Sequence, residues 1–140
     1  MEHKKLSILC IDDNDDHIEI LKRAFEKADP DITFSSFHDG EKVMSAFHSW
    51  GGAVYPDLIF LDLNLPGRDG QDILKFLKQS ERFRHIPVIV LSSSERMEDV
   101  RHAYQLGANT FLSKSIVFGD FFAAVVAVYE YWSAIALLPS

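Results

Sequence analysis

The chain has 140 residues, 47% hydrophobic and 25% charged, which is the size and composition of one globular domain over residues 1–140. Twenty-one acidic residues against fourteen basic ones give a net charge of −7, which argues against a nucleic-acid partner. The single cysteine, Cys10, excludes a disulfide framework and a cysteine-rich zinc site, and it is typical of a reducing compartment. We therefore expect a soluble, acidic, cytoplasmic domain.

Short apolar runs alternate with segments of helical periodicity along the chain. The first run, Leu6–Ile11, is followed by acidic residues and is typical of a strand buried on both faces of a sheet. Four further runs predict strands. They are Ile32–Phe37, Leu58–Leu61, Ile86–Leu91 and Thr110–Leu112.

A helix is predicted after each strand. The first has Ile18, Leu21 and Phe25 on one face and ends at Asp29-Pro30. Apolar residues at helical spacing predict the next three within 43–50, 73–77 and 97–104. Because every connection is too long for a hairpin, the pattern predicts βαβ crossovers and a parallel sheet covered on both faces.

The fifth helix falls in a mostly apolar segment, Ile116–Leu138. Asp120 and Glu130 interrupt this segment and no basic residue follows it, so a membrane anchor is disfavoured. Apolar residues recur there at helical spacing, which favours an amphipathic or largely buried helix. They are Phe118, Phe121, Phe122, Val125, Val128 and Trp132.

Polar side chains follow four of the five predicted strands. In chain order they are Asp12 and Asp13, Asp62 and Asn64, Ser92 to Ser94, and Lys114. In open α/β sheets, ligands bind beyond the carboxyl ends of the strands, where the strand order reverses. If these strands are neighbours, three carboxylates, a hydroxyl and an ammonium converge on one edge.

These groups complement one another chemically. Three crowded carboxylates repel each other unless a cation lies among them, and Mg²⁺ suits such a set because it also accepts water and phosphate oxygens. Asp62 would then attack phosphorus as a nucleophile and form an aspartyl phosphate. Lys114 would neutralise one phosphoryl oxygen and Ser92 would hydrogen-bond another.

The chain resembles a two-component response-regulator receiver domain over nearly its full length. The resemblance is carried by Ile11-Asp12-Asp13, Leu61–Pro66 with Asp69-Gly70, Val90–Ser93, Gly107-Ala108 and Phe111–Lys114. It implies a flavodoxin-like, CheY-like doubly wound α/β fold. That fold has a five-stranded parallel sheet of order 2-1-3-4-5, five helices and, here, an extended last helix.

The resemblance also implies a role for each acidic residue. Asp62 would be the phosphoacceptor. Asp13, Asp62 and the backbone carbonyl of Asn64 would hold Mg²⁺ directly, and Asp12 would assist, largely through water. The donor would be a sensor histidine kinase, and the protein would be a switch rather than an enzyme, assisting its own phosphorylation and dephosphorylation.

The remaining family positions concern the response to phosphorylation. Ser92 and Lys114 would contact the phosphoryl group, and the conformational switch would use Ser92 and Phe111. Ser92 stands where threonine is commoner and Phe111 where tyrosine is commoner. Ser115 stands where most receivers have proline, which leaves open whether the Lys114–Ser115 peptide is cis or trans.

A finer resemblance is to the stand-alone regulators that partner bacterial and cyanobacterial phytochrome kinases. It is carried by the stretch Asp62–Pro66, the long loop Trp50–Pro56 and the ending Tyr131–Pro139. In that group the extended last helix commonly forms a dimer face. The resemblance therefore implies a phytochrome kinase as partner and a homodimer through the fourth helix, fifth strand and last helix.

Plainer interpretations of single residues stay open. Asp12-Asp13 and Asp62 would serve equally as helix caps, as would Ser94 for a helix that starts near Glu95. Phe111 would serve equally as a core residue. The six histidines have no ligand spacing and are predicted to be surface residues, while Cys10 is predicted to be buried and inert.

Three other functions compete with the phosphorylation switch. A haloacid-dehalogenase-type phosphatase needs a second carboxylate two residues after its nucleophile, and Asn64 stands there. A flavodoxin-like cofactor binder needs a phosphate-binding loop after the first strand, where this chain is acidic. A receiver-like adaptor that is never phosphorylated is disfavoured by the complete set of site residues, but it stays open.

Overall fold

The computed structural model describes residues 5–51, 54–65, 69–115 and 121–139. Five strands are present in these ranges: β1 Ser7–Ile11, β2 Thr33–Phe37, β3 Leu58–Asp62, β4 Val88–Ser92 and β5 Thr110–Ser113. The α-helices are α1 Asp15–Ala28, α2 Gly40–His48, α3 Gly70–Gln79, α4 Met97–Gln105 and α5 Phe121–Glu130. The last helix continues into a π-helical turn, Tyr131–Ile135, and so is extended as predicted.

The five strands form one parallel sheet in the order β2-β1-β3-β4-β5. Every residue of β3 and β4 is buried, because both strands lie inside the sheet and are covered on both faces. Three of the five residues of β2 are exposed, as expected for an edge strand. The predicted doubly wound fold, with its strand order and five helices, is confirmed.

Alternate residues of β1 supply the two hydrophobic cores. Ile8 and Cys10 face the core under α1 and α5, where they join Phe25. Leu9 and Ile11 face the other core, under α2, α3 and α4. This division follows from the two-residue period of a strand and explains why the apolar run of β1 shows no alternation with polar residues.

Two predicted helix boundaries are wrong. Helix α2 ends at His48, so Trp50 lies in the following loop, where its ring packs against Phe47 in a tilted arrangement. Helix α4 begins at Met97 rather than near Glu95, and its N-cap is Arg96. Ser94 ties down the preceding loop instead of capping the helix: its Oγ accepts the Arg96 N–H at 3.2 Å and donates to Asp99 Oδ2 at 2.6 Å.

No helix within the described ranges is long and apolar enough to cross a membrane. Val125 and Tyr129 of α5 are buried against the α1 side of the sheet, whereas Val126 is 41% exposed. The predicted amphipathic character is therefore confirmed for this part of the helix. Residues 116–120 of the apolar segment, including Phe118, lie outside the described residues.

Gly70 allows α3 to begin directly against the backbone that follows β3. Its N–H donates to Leu63 O at 3.2 Å, and Asp69 caps the helix by accepting the Gln71 N–H at 2.9 Å. A Cβ at position 70 would lie 2.5 Å from both Asp62 O and Leu63 Cα. Because those atoms belong to the backbone, no change of side-chain rotamer can relieve the clash. A side chain at position 70 would therefore shift the end of β3.

We expect Gly70→Ala to lower the free energy of unfolding by about 1–3 kcal/mol, the usual cost of overpacking. Gly51→Ala is the matched control, because among the described residues the nearest atom to a Cβ there would be Ser49 O at 3.8 Å. That change should alter stability by less than about 0.5 kcal/mol. Urea denaturation of both variants measures the difference, and equal stabilities would contradict the proposed backbone clash.

Candidate functional site

The register of the sheet brings four strand ends to one edge. Ile11 pairs with Leu61, so Asp12 lies level with Asp62, one residue further along each strand. Ser92 pairs with Ser113, so Lys114 follows immediately beyond the end of β4. The residues predicted to converge at this edge do converge.

Each of three strands ends in a turn that its own side chain closes. Asp12 Oδ1 accepts the Asn14 N–H at 2.9 Å, and Asp62 Oδ1 accepts the Asn64 N–H at 2.9 Å. Ser92 Oγ accepts the Ser94 N–H at 3.1 Å. Such turns are a common use of Asp and Ser side chains. One oxygen of each carboxylate thus holds the backbone, and the Oδ2 atoms are left for other contacts.

Lys114 lies between these two Oδ2 atoms. Its Nζ donates to Asp62 Oδ2 at 3.0 Å and forms an ion pair with Asp12 Oδ2 at 3.1 Å. Burial acts to lower the pKa of Lys114, but the hydrogen bond and the negative charges of Asp62 and Asp12 outweigh it and raise the pKa above its ordinary value of 10.5. The lysine is therefore a cation at neutral pH.

This pKa shift has a definite sign for stability. Because the folded pKa lies above the unfolded one, the interaction stabilises the fold fully below about pH 10.5 and is lost only as the pH rises through the folded value. The ion pairs of Lys114 consequently do not vary across the neutral range.

Asp13 completes a cluster of three carboxylates. Asp12 is fully buried, Asp62 is 2% exposed and Asp13 is exposed, and one oxygen from each lies within 4.8 Å of the others. Lys114 balances only one of the three negative charges. Asp12 Oδ2 is buried and, within the described part of the chain, accepts no hydrogen bond of regular geometry. A divalent cation would balance the remaining charge, so the cluster fits such a metal.

The other predicted site residues lie around this cluster. Ser92 is buried at the end of β4, and Asn64 is exposed two residues beyond Asp62. Phe111 is half-buried: it packs against the core and also borders a surface groove with Met97. Its position is thus compatible with both interpretations given above.

The structure also settles several of the plainer interpretations. Asn14 is the N-cap of α1 and Asp69 that of α3, so neither Asp12-Asp13 nor Asp62 serves as a cap. Cys10 is fully buried, which confirms the predicted burial, and burial raises the pKa of its thiol.

The peptide that joins Lys114 to Ser115 is trans, as are the other peptide bonds of the described residues. Ser115 Oγ lies 2.8 Å from Ser113 Oγ and donates to Glu95 Oε1 at 3.3 Å. These contacts link the end of β5 to the loop that precedes α4.

His17 is the site residue that the sequence analysis missed. Its Nδ1 lies 3.3 Å from Lys114 Nζ and 3.8 Å from Asp12 Oδ2, and its ring is only partly exposed. The prediction that all histidines are surface residues is therefore wrong at this position. A signal was present: with Asn14 as the N-cap, residue 17 falls in the first turn of α1, directly beside the end of β1.

Comparison with known proteins identifies relatives of this arrangement. Residues 8–126 match the family described as the response regulator receiver domain. The chain is 37% identical over 127 residues to the probable methanogenesis regulatory protein FilR2 of Methanothrix harundinacea, covering 89% of this chain and 82% of that protein. It is 31% identical over 136 residues to the response regulator Rcp1 of a Synechocystis strain, covering 95% and 92%.

Solved structures agree with these sequence relations. The phosphorylated cyanobacterial phytochrome response regulator RcpA superposes with a TM-score of 0.89 at 32% identity, over 98% of this chain and all of that one. The Mn²⁺-bound form of Rcp1 superposes with a TM-score of 0.87 at 30% identity, over 96% of this chain and 99% of that one. A divalent cation is thus present in a structure of the same fold.

We expect Mg²⁺ to raise the unfolding temperature of the protein, because a ligand that binds the folded state stabilises it. Asp13→Asn should weaken Mg²⁺ binding by roughly tenfold or more, since it removes one of three charged oxygen donors. Asp16→Asn is the matched control: it removes the same charge from an exposed residue of α1 outside the cluster. Titration calorimetry would measure the Mg²⁺ affinity of both variants. Equal weakening would mean that the net negative charge of the protein, rather than the carboxylate cluster, attracts the ion.

Proposed function

We propose, because this chain belongs to the response regulator receiver family, that it is a single-domain switch which accepts a phosphoryl group from a histidine kinase on Asp62. The receiver in this proposal occupies residues 1–140. The observation that carries it is the hydrogen bond of 3.0 Å between Asp62 Oδ2 and Lys114 Nζ, inside a cluster that fits a divalent cation. A carboxylate that is both buried and charge-compensated can approach an anionic donor.

The position of Asp62 favours it over the other two carboxylates as the nucleophile. It ends β3, the central strand, with β1 and its two acidic residues on one side and β4 with Ser92 on the other. A phosphoryl group on Asp62 would therefore have the metal candidates on one flank and the Ser92 hydroxyl on the other, with the ammonium of Lys114 already 3.0 Å from Asp62 Oδ2. Asp12 has no neighbouring hydroxyl in such a position.

The transfer step balances simply. A carboxylate oxygen of Asp62 forms a bond to phosphorus while the N–P bond of the donor phosphohistidine breaks. The electron pair of that bond stays on the imidazole nitrogen, which takes up a proton from solvent. The acyl phosphate that results is hydrolysed when water attacks phosphorus and the carboxylate of Asp62 leaves.

The surrounding residues stabilise the charge that this step brings together. Lys114 pairs with one phosphoryl oxygen and Ser92 donates to another, which is electrostatic stabilisation by groups already in place. Asp13, Asp62 and the Asn64 carbonyl would hold Mg²⁺ directly, with Asp12 assisting through water; the ion supplies charge neutralisation at the phosphoryl oxygens. The protein thus assists its own phosphorylation and dephosphorylation and turns over no separate substrate.

Phosphorylation changes the charge at this edge of the sheet by about −1.5 to −2 at neutral pH. Lys114 and Ser92 are drawn toward the new anion. Lys114 directly follows β5, and Phe111 lies within that strand. The shift is therefore expressed at the face formed by α4, β5 and α5.

Asp62→Asn should abolish phosphorylation by acetyl phosphate with Mg²⁺, because an amide oxygen cannot form the acyl phosphate. Asp72→Asn removes an equal charge from an exposed residue of α3 and should leave phosphorylation unchanged. Intact mass spectrometry counts the phosphoryl groups directly. An unmodified wild type, tested also with a histidine kinase, would support the adaptor function instead, and a modified Asp62→Asn variant would place the phosphoryl group elsewhere.

The proposed kinase is of the phytochrome type. Rcp1 and RcpA support this, because the chain matches each over nearly its whole length and RcpA is named as a phytochrome response regulator. Phosphorylation by two histidine kinases tests the type of kinase. A phytochrome kinase should transfer phosphoryl groups to this protein faster than an unrelated histidine kinase does under the same conditions.

We further propose a homodimer through the face formed by α4, β5 and α5. Met97 lies on that face, beside Phe111, and is 60% exposed; Ile135 and Leu137, in the segment that follows α5, are 69% and 99% exposed. Burial of such side chains against a second copy would remove apolar surface from water, worth about 25 cal/mol per Å².

Met97→Asp should shift the protein toward monomer, because it places a charge in the proposed apolar interface. Val54→Asp is the matched control, since Val54 is 81% exposed but lies in the loop before β3, outside that face. Sedimentation velocity of both variants, with and without phosphorylation, measures the effect. A wild type that is monomeric in both states at micromolar concentration would disprove the dimer and leave the phosphorylation chemistry untouched.

A further inference from the structure

Three polar atoms surround the ammonium of Lys114: two are hydrogen-bond partners, and Asp12 Oδ2 is an ion-pair partner. Asp62 Oδ2 lies 3.0 Å from Nζ, Asp12 Oδ2 lies 3.1 Å away and His17 Nδ1 lies 3.3 Å away. A lysine ammonium donates three hydrogen bonds and accepts none. Because an ammonium has no lone pair, a hydrogen bond between Nζ and Nδ1 requires the imidazole nitrogen to be the acceptor.

The three partners differ in what happens to them during the reaction. Asp62 Oδ2 and Asp12 Oδ2 belong to the carboxylate cluster that would bind the cation and the phosphoryl group. His17 is outside that cluster. When the cation and the phosphoryl group occupy the carboxylates, His17 Nδ1 is the partner of Lys114 that binds neither of them.

We propose that His17 is a positioning residue for Lys114. It holds the ammonium at the phosphoryl site while Asp12 and Asp62 bind the cation and the phosphoryl group in place of Lys114. This inference rests on the proposed function. It names a contribution from α1 to a reaction whose other groups all stand at the ends of strands.

The structural elements that carry Lys114 and His17 support this role. Lys114 directly follows β5 and is carried by a long, flexible side chain. His17 stands in the first turn of α1, whose start is fixed because Asn14 Oδ1 accepts the His17 N–H at 3.1 Å and Asp12 Oδ1 accepts the Asn14 N–H at 2.9 Å. The helix therefore gives the end of this flexible side chain a rigid support.

The test compares two substitutions of nearly equal shape. In His17→Asn the side-chain carbonyl oxygen can occupy the place of Nδ1 and accept from Lys114, whereas His17→Leu fills the same space with a methyl group. We expect His17→Leu to slow phosphorylation by acetyl phosphate with Mg²⁺ by about ten- to hundredfold, the effect of one hydrogen bond to a charged group, and His17→Asn to recover most of the rate. Both variants should bind Mg²⁺ as the wild type does.

A double-mutant cycle separates positioning from a general structural role. If His17 acts through Lys114, the rate difference between His17→Leu and His17→Asn should disappear in a Lys114→Met background. Thermal unfolding of each variant checks the fold, and His17→Ala replaces the leucine variant if that one does not fold.

Each remaining outcome has a separate meaning. Equal rates for His17→Leu and His17→Asn, or a difference that persists without Lys114, would overturn the positioning role alone. A wild type that accepts no phosphoryl group while Mg²⁺ still binds would overturn the proposed function, and the positioning role with it.

Discussion

The placement of two buried carboxylates against one ammonium governs the site and much of its surroundings. Asp12 and Asp62 are almost fully withdrawn from water, and transferring such charges from water is costly unless they are paired. Lys114 pairs with both, yet one positive charge cannot balance two buried carboxylates and the exposed Asp13 beside them. The free protein therefore carries an excess of negative charge that a divalent cation would relieve.

The backbone near these carboxylates is held by their own side chains. Asp12 and Asp62 each use one oxygen to close the turn after their strand and leave the other for chemistry. Gly70 lets α3 lie against the backbone of Asp62 and Leu63 with no intervening side chain. The position of the nucleophile candidate is therefore set by backbone contacts on both sides, which is the rigidity that a pre-organised site needs.

Most of the fold could be predicted because its signals are local. Continuous apolar runs such as Leu58–Leu61 indicate central parallel strands, and the carboxyl-end rule then places Asp12, Asp62, Ser92 and Lys114 together. Helix starts were less predictable, because Ser94 has the side chain of a cap but is held by Asp99 across the loop. Whether a serine side chain caps a helix or bonds another residue depends on three-dimensional contacts, which the spacing of residues in the sequence does not reveal.

His17 was missed for a related reason. A histidine on a helix is ambiguous by sequence alone, and its proximity to Lys114 depends on a pairing between residues 97 positions apart. Only the docking of α1 at this edge of the sheet, within reach of the Lys114 side chain, decides which face of the first turn meets the site. Long-range contacts of this sort arise from the topology of the sheet rather than from any motif within α1.

The links between β5 and α4 show how the site and the proposed dimer face are connected. The Phe111 N–H donates to the Tyr104 hydroxyl of α4 at 3.0 Å, and Ser115, next to Lys114, donates to Glu95 at 3.3 Å. Tyr104 is 47% exposed, so its hydroxyl is bonded to β5 while part of its ring faces outward. A displacement of Lys114 toward a phosphoryl group would therefore act on a strand that is hydrogen-bonded to α4 and to the loop before it. Because these bonds join polar groups near the surface, they exchange with water at small cost, which suits contacts that would break and re-form in the proposed switch.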